Sequence, residues 1–419
     1  MTRTVDCGER TGSVLIPSSK SQAHRMLICA ALSQSDSVIS CDGISDDIKA
    51  TADCLSALGA KIDIRGGEIS VRPIKNIPGD RIELFCGESG STLRFLLPVV
   101  GALGANAAFH MKGRLSERPL SPLSDELISH GMSITRNSDL LLCGGKLEAG
   151  KFSLPGNISS QYISGLLFAL PLLSGVSEIE ITSDIESEDY IEMTLDSLLL
   201  SQIQIVRAER LYGISGDQKY RFPACARVES DWSSAAFFLS MGALSEKGIT
   251  VRGLDTHSRQ GDKRIIDVLR GFGAHIIISE DGITVSRGEL RGQTVDARMI
   301  PDLVPVVSVV AAAANGRTEI INAGRLRLKE SDRLRSVSQM LLSLGGKVTE
   351  TEDGLIIDGG ALHGGTVDSV GDHRIAMSAA VAASVCGSPV TVTDPGCTSK
   401  SYPRFWDDLD SLSIADIKE

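Results

Sequence analysis

The chain has few aromatic residues and no excess of positive charge. Aromatic residues make up 4% of its 419 residues, and the formal net charge is −11. Nucleic-acid and anionic-membrane surfaces need clustered positive charge, so this acidic total argues against both kinds of partner. The strongly apolar run from Leu303 to Ala314 is shorter than the ~18 residues that a membrane-spanning helix needs. Because the start, MTRTVDCGERTG, also lacks an apolar signal core, we expect a soluble, cytoplasmic protein without a secretion signal.

The nine cysteines are scattered and never form a CxxC pair. A zinc site would show closely spaced ligands, and a disulfide framework would show an even number of cysteines. The GESGSTLR segment lacks the GK[ST] ending of a Walker loop, and no HExxH or EF-hand motif occurs. We therefore expect most cysteines to be small buried side chains, and we expect no metal site.

A pattern of about seventy residues recurs along the chain. The end of a leucine-rich helix is followed by a glycine and by two strand-like segments with a turn between them, as in LSALGAKIDIRGGEISV. The glycine suits a left-handed helix cap, and the turn suits a β-hairpin. The equivalent positions, 72, 70, 72 and 72 residues apart, are Gly59, Gly131, Ser201, Gly273 and Gly345. A sixth copy is complete only if the C-terminal helix FWDDLDSL joins the strand near TGSVLIP, so we expect six α/β copies with a domain boundary after three.

A second periodicity places small or polar residues where an apolar strand stops and a helix begins. Unpaired amides and the helix dipole favour an anion at such a point. A single junction of this kind is an ordinary N-cap, but six in register predict anionic substrates bound in a cleft between two halves. The junctions, separated by 70, 69, 74, 68 and 70 residues, are centred on Ser21, Ser91, Ser160, Ser234, Asp302 and Asp372.

Cations that could hold such anions occur beside these junctions or in compact polar motifs. On a helix, Lys329 and Arg333 would share a face, with Glu330 beside them, although a surface ion-pair ladder would show the same spacing. Asp302 follows a proline and opens a long apolar helix, where an N-cap is the alternative interpretation. The candidate cations are Lys20, Arg25, Arg94, Arg118, Lys329, Arg333, Arg374 and Lys400.

These motifs resemble those of the EPSP synthases (3-phosphoshikimate 1-carboxyvinyltransferases), in the enolpyruvyl transferase family. The resemblance covers essentially the full chain. It implies an α/β fold of two similar domains, each of three βαβαββ repeats, in an inverted α/β barrel-like form. The implied domains are residues 1–18 with 230–419, and residues 19–229, with the active site in the cleft between them. The matching segments are PSSKSQAHR (17–25), SERP (116–119), SSQ (159–161), KESDR (329–333), GDHR (371–374) and DPGCTSK (394–400).

The resemblance also implies a reaction, an addition–elimination of chorismate and aromatic amino acid biosynthesis. The enolpyruvyl group of phosphoenolpyruvate passes to the 5-hydroxyl of shikimate 3-phosphate, and phosphate is released. Such chemistry needs a base for the hydroxyl, an acid for carbon, and cations for two phosphates and a carboxylate. The implied partners are these two small molecules, with no cofactor, no nucleic acid and no membrane, and the implied state is a monomer.

Residue roles follow from the resemblance position by position, and it leaves open whether Asp302 or Lys20 takes the hydroxyl proton. The implied catalytic residues are Lys20, Asp302 and Glu330. The implied ligands of shikimate 3-phosphate are Lys20, Ser21, Arg25, Ser159, Ser160, Gln161, Ser187, Tyr190, Asp302 and Lys329. The implied ligands of phosphoenolpyruvate are Lys20, Gly90, Arg118, Gln161, Arg333, Arg374 and Lys400.

Three positions depart from the family's usual pattern. Glu88 stands where the family usually has Asn, Arg325 replaces an Asn found in some members, and Glu188-Asp189 replaces a common Lys-Pro. None of these changes removes an implied catalytic group. They leave substrate affinity and the response to glyphosate open.

Two alternative functions remain on the same fold. The sister enzyme that transfers enolpyruvyl to UDP-N-acetylglucosamine typically relies on a loop cysteine, which MKGRLSERPLSP lacks, and KESDR favours shikimate phosphate. A non-catalytic anion-binding protein would have no need of Lys20, Asp302 and Glu330, and all three are present.

Overall fold

A computed structural model describes residues 1–414 of the chain, which form two compact units. Unit 1 comprises Met1–Pro17 and the described residues from Glu229 onward, and unit 2 comprises Ser18–Val228. Each unit has its own hydrophobic core. Seven of the nine cysteines are buried, as expected, and all nine are unpaired thiols. No helix within residues 1–414 has both the length and the apolar character needed to cross a membrane.

Helices and strands alternate along most of the described chain. The α-helices are α1 (Lys20–Ala31), α2 (Asp46–Ala57), α3 (Gly90–Ala102), α4 (Leu123–Ser129), α5 (Ser160–Ala169), α6 (Glu188–Leu200), α7 (Trp232–Ala243), α8 (Ile265–Phe272), α9 (Val304–Ala313), α10 (Arg333–Ser343), α11 (His373–Ala382) and α12 (Phe405–Asp410). The strands are β1 (Thr2–Val5), β2 (Arg10–Leu15), β3 (Ser37–Ser40), β4 (Lys61–Arg65), β5 (Glu68–Arg72), β6 (Ile82–Gly87), β7 (Ala107–Met111), β8 (Met132–Asn137), β9 (Leu140–Gly145), β10 (Lys151–Leu154), β11 (Val176–Ile181), β12 (Ile205–Ala208), β13 (Leu211–Ser215), β14 (Cys225–Arg227), β15 (Ile249–Arg252), β16 (His275–Ser279), β17 (Gly282–Ser286), β18 (Thr294–Asp296), β19 (Arg317–Ile321), β20 (Lys347–Glu350), β21 (Leu355–Asp358), β22 (Gly365–Val367), β23 (Val390–Thr393) and β24 (Ser413–Ile414).

Unit 2 contains three copies of one supersecondary motif. In the middle copy, β6 and β7 are parallel, β7 and β9 are antiparallel, and β8 and β9 form a hairpin. The sheet order is therefore β6-β7-β9-β8, and the same arrangement recurs as β14-β3-β5-β4 and β10-β11-β13-β12. Strand β14, from the end of the unit, supplies the first strand of the first copy.

Unit 1 repeats the motif and closes it with both ends of the chain. Its continuous copy has the order β18-β19-β21-β20. Strand β2 pairs in parallel with β15, strand β1 pairs with β23, and the C-terminal strand β24 pairs with β2. The prediction that a sixth copy joins the two ends is confirmed, as is the α/β fold class with three repeats in each half.

Six core helices, one in each copy, are mostly buried in their units: α1, α3, α5, α7, α9 and α11. In α9, with the sequence VPVVSVVAAA, every residue except Ala313 is buried. A helix that is apolar on all sides is stable only when it is enclosed. The surrounding strands bury alternate residues, as in β5 and β19, so each of these two strands turns one face to the helices and the other to solvent.

The left-handed caps predicted at the glycines of the repeat occur at all four of them. Gly59, Gly131, Gly273 and Gly345 all have φ between 82° and 109°. In the degenerate copy, Ser201 has φ −89°, and the left-handed conformation falls on Gln202, with φ 61°. A polar residue at this point tolerates the strain that a glycine avoids, which is why this copy is the hardest to recognise in the sequence.

Candidate active site

Five of the six core helices are capped by the side chain of the residue before them. Each of these side chains accepts a hydrogen bond from a first-turn amide, and the residues are Ser19, Ser89, Ser159, Asp231 and Asp372. Helix α9 differs, because its N-cap is Leu303 and no side chain caps it. The alternative interpretation of Asp302 as an N-cap is therefore wrong, and its carboxylate has other partners.

Asp302 lies among three cationic side chains of unit 1. Its Oδ1 accepts hydrogen bonds from Lys329 Nζ at 3.3 Å and from Arg333 Nη1 at 2.7 Å. Arg374 donates through Nη2 to Asp302 Oδ2 at 3.1 Å and through Nη1 to the Asp302 carbonyl at 2.9 Å. The carboxylate and its own main chain are thus held by one arginine, which fixes the orientation of the carboxylate.

Arg333 is 1% exposed and binds three carboxylates. Besides Asp302, it donates through Nε to Asp372 at 2.8 Å and through Nη2 to Glu330 at 2.5 Å. Burial alone would lower the pKa of Arg333, but these anions outweigh it and raise that pKa. Burial alone would likewise raise the pKa of Asp372, and Arg333 holds it below its usual value. The predicted catalytic residues Asp302 and Glu330 are therefore bridged by a permanent cation.

Lys329 is the cation of this cluster that titrates most readily. Loss of hydration lowers its pKa to about 8, even though the Asp302 carboxylate acts in the opposite direction and Arg333 adds to the lowering. Lysine responds to its surroundings in this way because its ammonium is a compact, strongly hydrated charge. The predicted shikimate-side lysine is therefore charged at neutral pH and loses its charge in mildly alkaline solution.

Sequence reasoning missed two residues of this cluster, Ser233 and Asp262. Ser233 Oγ accepts a hydrogen bond from Arg374 Nη2 at 2.7 Å. Asp262 is 2% exposed and lies near Ser233, whose side chain acts to lower the pKa of Asp262. Burial and the charge of Asp302 raise the pKa of Asp262 to about 6, against the effect of Arg374. In the sequence, Asp262 lies in the charged run GDKR, which is indistinguishable from a solvated turn.

Lys400 lies at the end of a short helical turn, Pro395–Lys400. Its Nζ donates to the carbonyl of Gly371 at 2.7 Å. Gly371 directly precedes Asp372, the cap of α11, so this contact places the predicted phosphoenolpyruvate ligand Lys400 beside the helix that carries Arg374.

In unit 2, the predicted catalytic lysine Lys20 is the first residue of α1. Its Nζ lies 2.8 Å from Oδ2 of Asp47, in the first turn of α2, and both side chains are less than one-fifth exposed. Charge-assisted hydrogen bonds are among the stronger ones, so Asp47 sets the direction of the Lys20 ammonium.

Arg25, on the same helix, joins two predicted ligands of shikimate 3-phosphate. It donates through Nη1 to the carbonyl of Ser21 at 2.6 Å, through Nη2 to the carbonyl of Tyr190 at 2.7 Å, and through Nε to Thr194 at 2.8 Å. Burial lowers the pKa of Arg25 to about 10, so it remains a cation at neutral pH. Ser187 stands in the left-handed region, with φ 54°, immediately before α6.

Two arginines converge on the N-terminus of α3. Arg94 Nη1 donates to Gln161 Oε1 at 2.9 Å, and Gln161 Nε2 donates to Ser91 Oγ at 2.9 Å. A Cβ atom on Gly90 would lie 2.5 Å from Arg94 Nη1 and 2.9 Å from Arg118 Nη1. Only glycine allows this approach, and two cations at a helix N-terminus form a site for an anion. Arg94, a candidate cation with no assigned substrate, belongs to this site.

The remaining predicted ligands on α5 are placed by the same contacts. Ser159 caps the helix by accepting from the amide of Gln161 at 3.3 Å, and Ser160 is buried at its first position. Gln161 therefore connects the start of α5 to the start of α3 through Arg94 and Ser91.

The three departures from the family pattern have defined surroundings. The carboxyl carbon of Glu88 lies 2.7 Å from where a Cβ on Gly113 would stand, so this larger side chain packs over a glycine. Arg325 Nη2 donates to the carbonyl of Arg298 at 2.5 Å. Glu188 forms an ion pair with Arg207 in which both side chains are more than one-third exposed.

The predicted site residues thus fall into one cluster in unit 1 and three groups in unit 2. The unit 1 cluster contains Asp302, Lys329, Glu330, Arg333 and Arg374. The unit 2 groups are Lys20 with Asp47; Ser21, Arg25 and Tyr190; and Gly90, Arg118 and Gln161 beside Arg94. Within the described residues, no group of three or more His, Cys, Asp or Glu side chains could hold a metal ion.

Comparison with solved structures shows the class of fold. The chain superposes on an EPSP synthase from Acinetobacter baumannii with a TM-score of 0.79 and 23% identity, covering 99% of this chain and 100% of that one. It superposes on the enolpyruvyl transferase NikO from Streptomyces tendae with a TM-score of 0.78 and 17% identity, covering 99% of each chain. The fold is that of the enolpyruvyl transferases.

Sequence comparison shows the particular family. The family model described as EPSP synthase (3-phosphoshikimate 1-carboxyvinyltransferase) matches residues 7–409. A 3-phosphoshikimate 1-carboxyvinyltransferase of Clostridium kluyveri is 44% identical over 405 residues, covering 96% of this chain and 95% of the relative. One of Clostridium acetobutylicum is 43% identical over 416 residues, covering 97% of this chain and 96% of the relative. The chain belongs to the EPSP synthase family.

Proposed function

We propose that this chain transfers the enolpyruvyl group of phosphoenolpyruvate to the 5-hydroxyl of shikimate 3-phosphate. Membership of the EPSP synthase family supports this activity. The observation that carries the proposal to particular atoms is the bridging of Asp302 and Glu330 by Arg333, beside Lys329. A reaction with one proton to remove and another to deliver needs two such groups at fixed positions.

The reaction requires a base and an acid in the same turnover. The 5-hydroxyl oxygen bonds to the central carbon of phosphoenolpyruvate while its methylene carbon gains a proton. The C–O bond to phosphate then breaks and the methyl group returns a proton, so no net proton or electron is lost. We assign Asp302 or Lys20 to the hydroxyl proton and Glu330 to the methylene carbon. Arg374 serves Asp302 by fixing both its carboxylate and its carbonyl.

The substrates bring two phosphates and a carboxylate, and each unit supplies cations suited to such groups. In unit 2, the paired arginines at Gly90 are proposed to take the anionic groups of phosphoenolpyruvate, and Arg25 with its neighbours on α6 is proposed to take shikimate 3-phosphate. In unit 1, Lys329, Arg374 and Lys400 are proposed to complete this set. Fixed cations lower the cost of charge that develops on the departing phosphate.

Release of phosphate from phosphoenolpyruvate tests the activity, with shikimate 3-phosphate and UDP-N-acetylglucosamine as competing acceptors. We expect release only with shikimate 3-phosphate. Release only with the nucleotide sugar would show that the acceptor is wrong, and release with neither would favour an anion-binding protein.

A pair of carboxylate variants tests the assigned site. Asp302→Asn should lower turnover by about 10²-fold or more, the usual effect of losing a general base. Asp296→Asn is the matched control, because Asp296 pairs with Arg298 in unit 1 and makes none of the contacts of the Arg333 cluster. We further propose that the protein is cytoplasmic and monomeric, as the family resemblance implies; sedimentation of the purified chain tests the monomer, and fractionation of cells tests the location.

A further inference from the structure

A hydrogen-bonded network of four buried side chains connects three helices of unit 2. His24, on α1, has Nδ1 2.7 Å from Oγ1 of Thr51, on α2. Thr51 Oγ1 is 2.7 Å from Oγ1 of Thr92, on α3, and Thr92 Oγ1 donates to Ser89 Oγ at 2.7 Å. All four side chains are at most 1% exposed. This network starts at His24, one helical turn after Lys20, and ends at Ser89, the cap of α3, next to Gly90.

All hydrogen bonds of this network are donated in one direction, from His24 towards Ser89. Thr92 gives its hydroxyl proton to Ser89, so it must accept from Thr51. Thr51 has then used its only proton, so it must accept from Nδ1 of His24. His24 therefore carries its proton on Nδ1, and its Nε2 has no hydrogen-bond partner. Burial, together with the charges of Lys20 and Arg25, holds the pKa of His24 well below its usual value, so the ring is neutral.

Ser89, at the end of this network, fixes the backbone at the start of α3, where Arg94 and Arg118 approach it. Ser89 accepts from the amide of Thr92 at 3.2 Å and from its hydroxyl, so its side chain has one orientation. The next residue, Gly90, lies too close to Arg94 and Arg118 for even a Cβ atom to fit. A small displacement of this helix start would therefore change the spacing between the amides and both guanidinium groups.

We propose that His24 is a positioning residue for the anion site at Gly90. Its Nδ1–H orients Thr51 and Thr92, which hold Ser89 and thereby the N-terminus of α3 against Arg94 and Arg118. This inference rests on the proposed function in that the anion is phosphoenolpyruvate. His24 itself touches no substrate and transfers no proton.

Two variants with the same number of side-chain heavy atoms separate the donor from the shape of the side chain. His24→Asn places an amide N–H close to the position of Nδ1, whereas His24→Leu has a similar shape and no donor. We expect His24→Leu to raise the KM for phosphoenolpyruvate about tenfold, the effect of one lost buried hydrogen bond, with little change in kcat. His24→Asn should restore most of that loss. Equal KM values for the two variants would overturn the role of His24.

A second comparison covers the case in which His24 variants fold poorly. Thr51→Val removes the central hydroxyl and keeps the side-chain shape. Thr284→Val is its matched control, because Thr284 shares a similar 2.8 Å hydroxyl pair with Thr250 on strands of unit 1. Both changes remove a hydroxyl pair, and the melting temperature should fall more in Thr51→Val because its pair is fully buried. Only Thr51→Val should raise the KM for phosphoenolpyruvate. A KM that stays at the wild-type value in Thr51→Val would show that this network contributes to stability alone.

The position of the ring proton can be measured directly. Nitrogen-15 spectra of the His24 ring should show the proton on Nδ1 and no titration between pH 6 and about 8, because His24 stays neutral there. A proton on Nε2, or a ring that titrates in this range, would overturn the proposed direction of hydrogen-bond donation in this network. Failure of the wild-type chain to release phosphate counts against the proposed function, whereas normal release with an Nε2 proton counts against the role of His24.

Discussion

Arg333 donates through Nη1 to Oδ1 of Asp302 at 2.7 Å, although the two residues are 31 positions apart in the sequence. The same guanidinium also binds Glu330 and Asp372. With Lys329 and Arg374 beside Asp302, three cations face the carboxylates of Asp302, Glu330 and Asp372, and Asp262 adds a fourth carboxyl near Asp302 and Arg374. Removing the partner of a buried charge leaves that charge without compensation.

Arg333→Met should unfold at lower denaturant and lose activity together. The change leaves three carboxylates without their common cation, and breaking a buried ion pair by removing one partner costs about 3–5 kcal/mol. Urea unfolding and phosphate release measure the two effects. Arg335→Ala is the control, since Arg335 is exposed on the same helix, and it should change neither. Normal stability with a raised KM for phosphoenolpyruvate would assign Arg333 to ligand binding alone.

Lys20→Met should abolish most turnover and lower stability only moderately. Lys20 makes a largely buried ion pair with Asp47, so its loss should cost more than the ~0–1 kcal/mol of an exposed pair and less than the ~3–5 kcal/mol of a fully buried one. The loss of a group that takes part in proton transfer costs about 10²–10⁴-fold in rate. Lys49→Met, on the exposed side of α2, is the matched control and should keep full activity. Turnover within a few-fold of wild type would remove Lys20 from the catalytic residues.

The repeated fold could be predicted from the sequence because its signals are local. A leucine-rich helix end, a glycine and a hairpin turn lie within about 17 residues, and their spacing reveals the copies. The second periodicity, in which small or polar residues stand between a strand and a helix, is equally local, and five of its six junctions contain or adjoin a side-chain cap. The copy near Ser201 is the hardest to recognise, because its left-handed residue is Gln202 and not a glycine.

The site could be predicted only as a set of residues, without its internal contacts. Arg333 was expected to hold phosphoenolpyruvate, yet in the structure it binds three carboxylates, one of them 39 positions away. Asp262 and Ser233 were not expected at all, because no local pattern distinguishes a buried aspartate in a charged turn from a solvated one. Such contacts depend on tertiary packing, which the spacing of residues in the sequence does not predict.

The affinity for shikimate 3-phosphate should fall as the pH rises through about 8. The pKa of Lys329 is lowered to about 8, so the side chain is charged below that pH and neutral above it. The phosphate groups of the substrates are already ionised by pH 7, since their second pKa is about 6. A plot of kcat/KM for shikimate 3-phosphate against pH should therefore bend downward near pH 8. Lys329→Arg keeps its charge and should remove this bend, and a bend that persists in the variant would belong to another group.

Gly90→Ala should weaken the binding of phosphoenolpyruvate without unfolding the chain. The added Cβ would stand 2.5 Å from Arg94 Nη1 and 2.9 Å from Arg118 Nη1. These atoms are the ends of flexible side chains, so they can move, but the movement spoils the anion site. We expect a KM for phosphoenolpyruvate raised about tenfold or more, as a shift of an angstrom in a positioned group can cause. Gly360→Ala, with nothing within 4 Å of its Cβ, is the control. An unchanged KM in Gly90→Ala would show that the arginines do not bind this substrate.

Asp262→Asn should stabilise the chain at neutral pH and have little effect near pH 4. In the folded chain the pKa of Asp262 is raised to about 6, whereas an aspartate in an unfolded chain has a pKa of about 3.9. The folded state therefore binds the proton more tightly, and the stability that this provides is complete below about pH 4 and is lost as the pH rises through about 6. Asparagine resembles the protonated carboxyl and carries no such dependence. The difference in free energy of unfolding between Asp262→Asn and wild type should grow by about 2–3 kcal/mol from pH 4 to 7.

Urea unfolding at each pH measures this difference in free energy, and the exposed Asp267→Asn should follow the wild-type curve in shape. Parallel curves for Asp262→Asn and wild type would mean that Asp262 stays ionised in the folded chain, with Arg374 outweighing its burial.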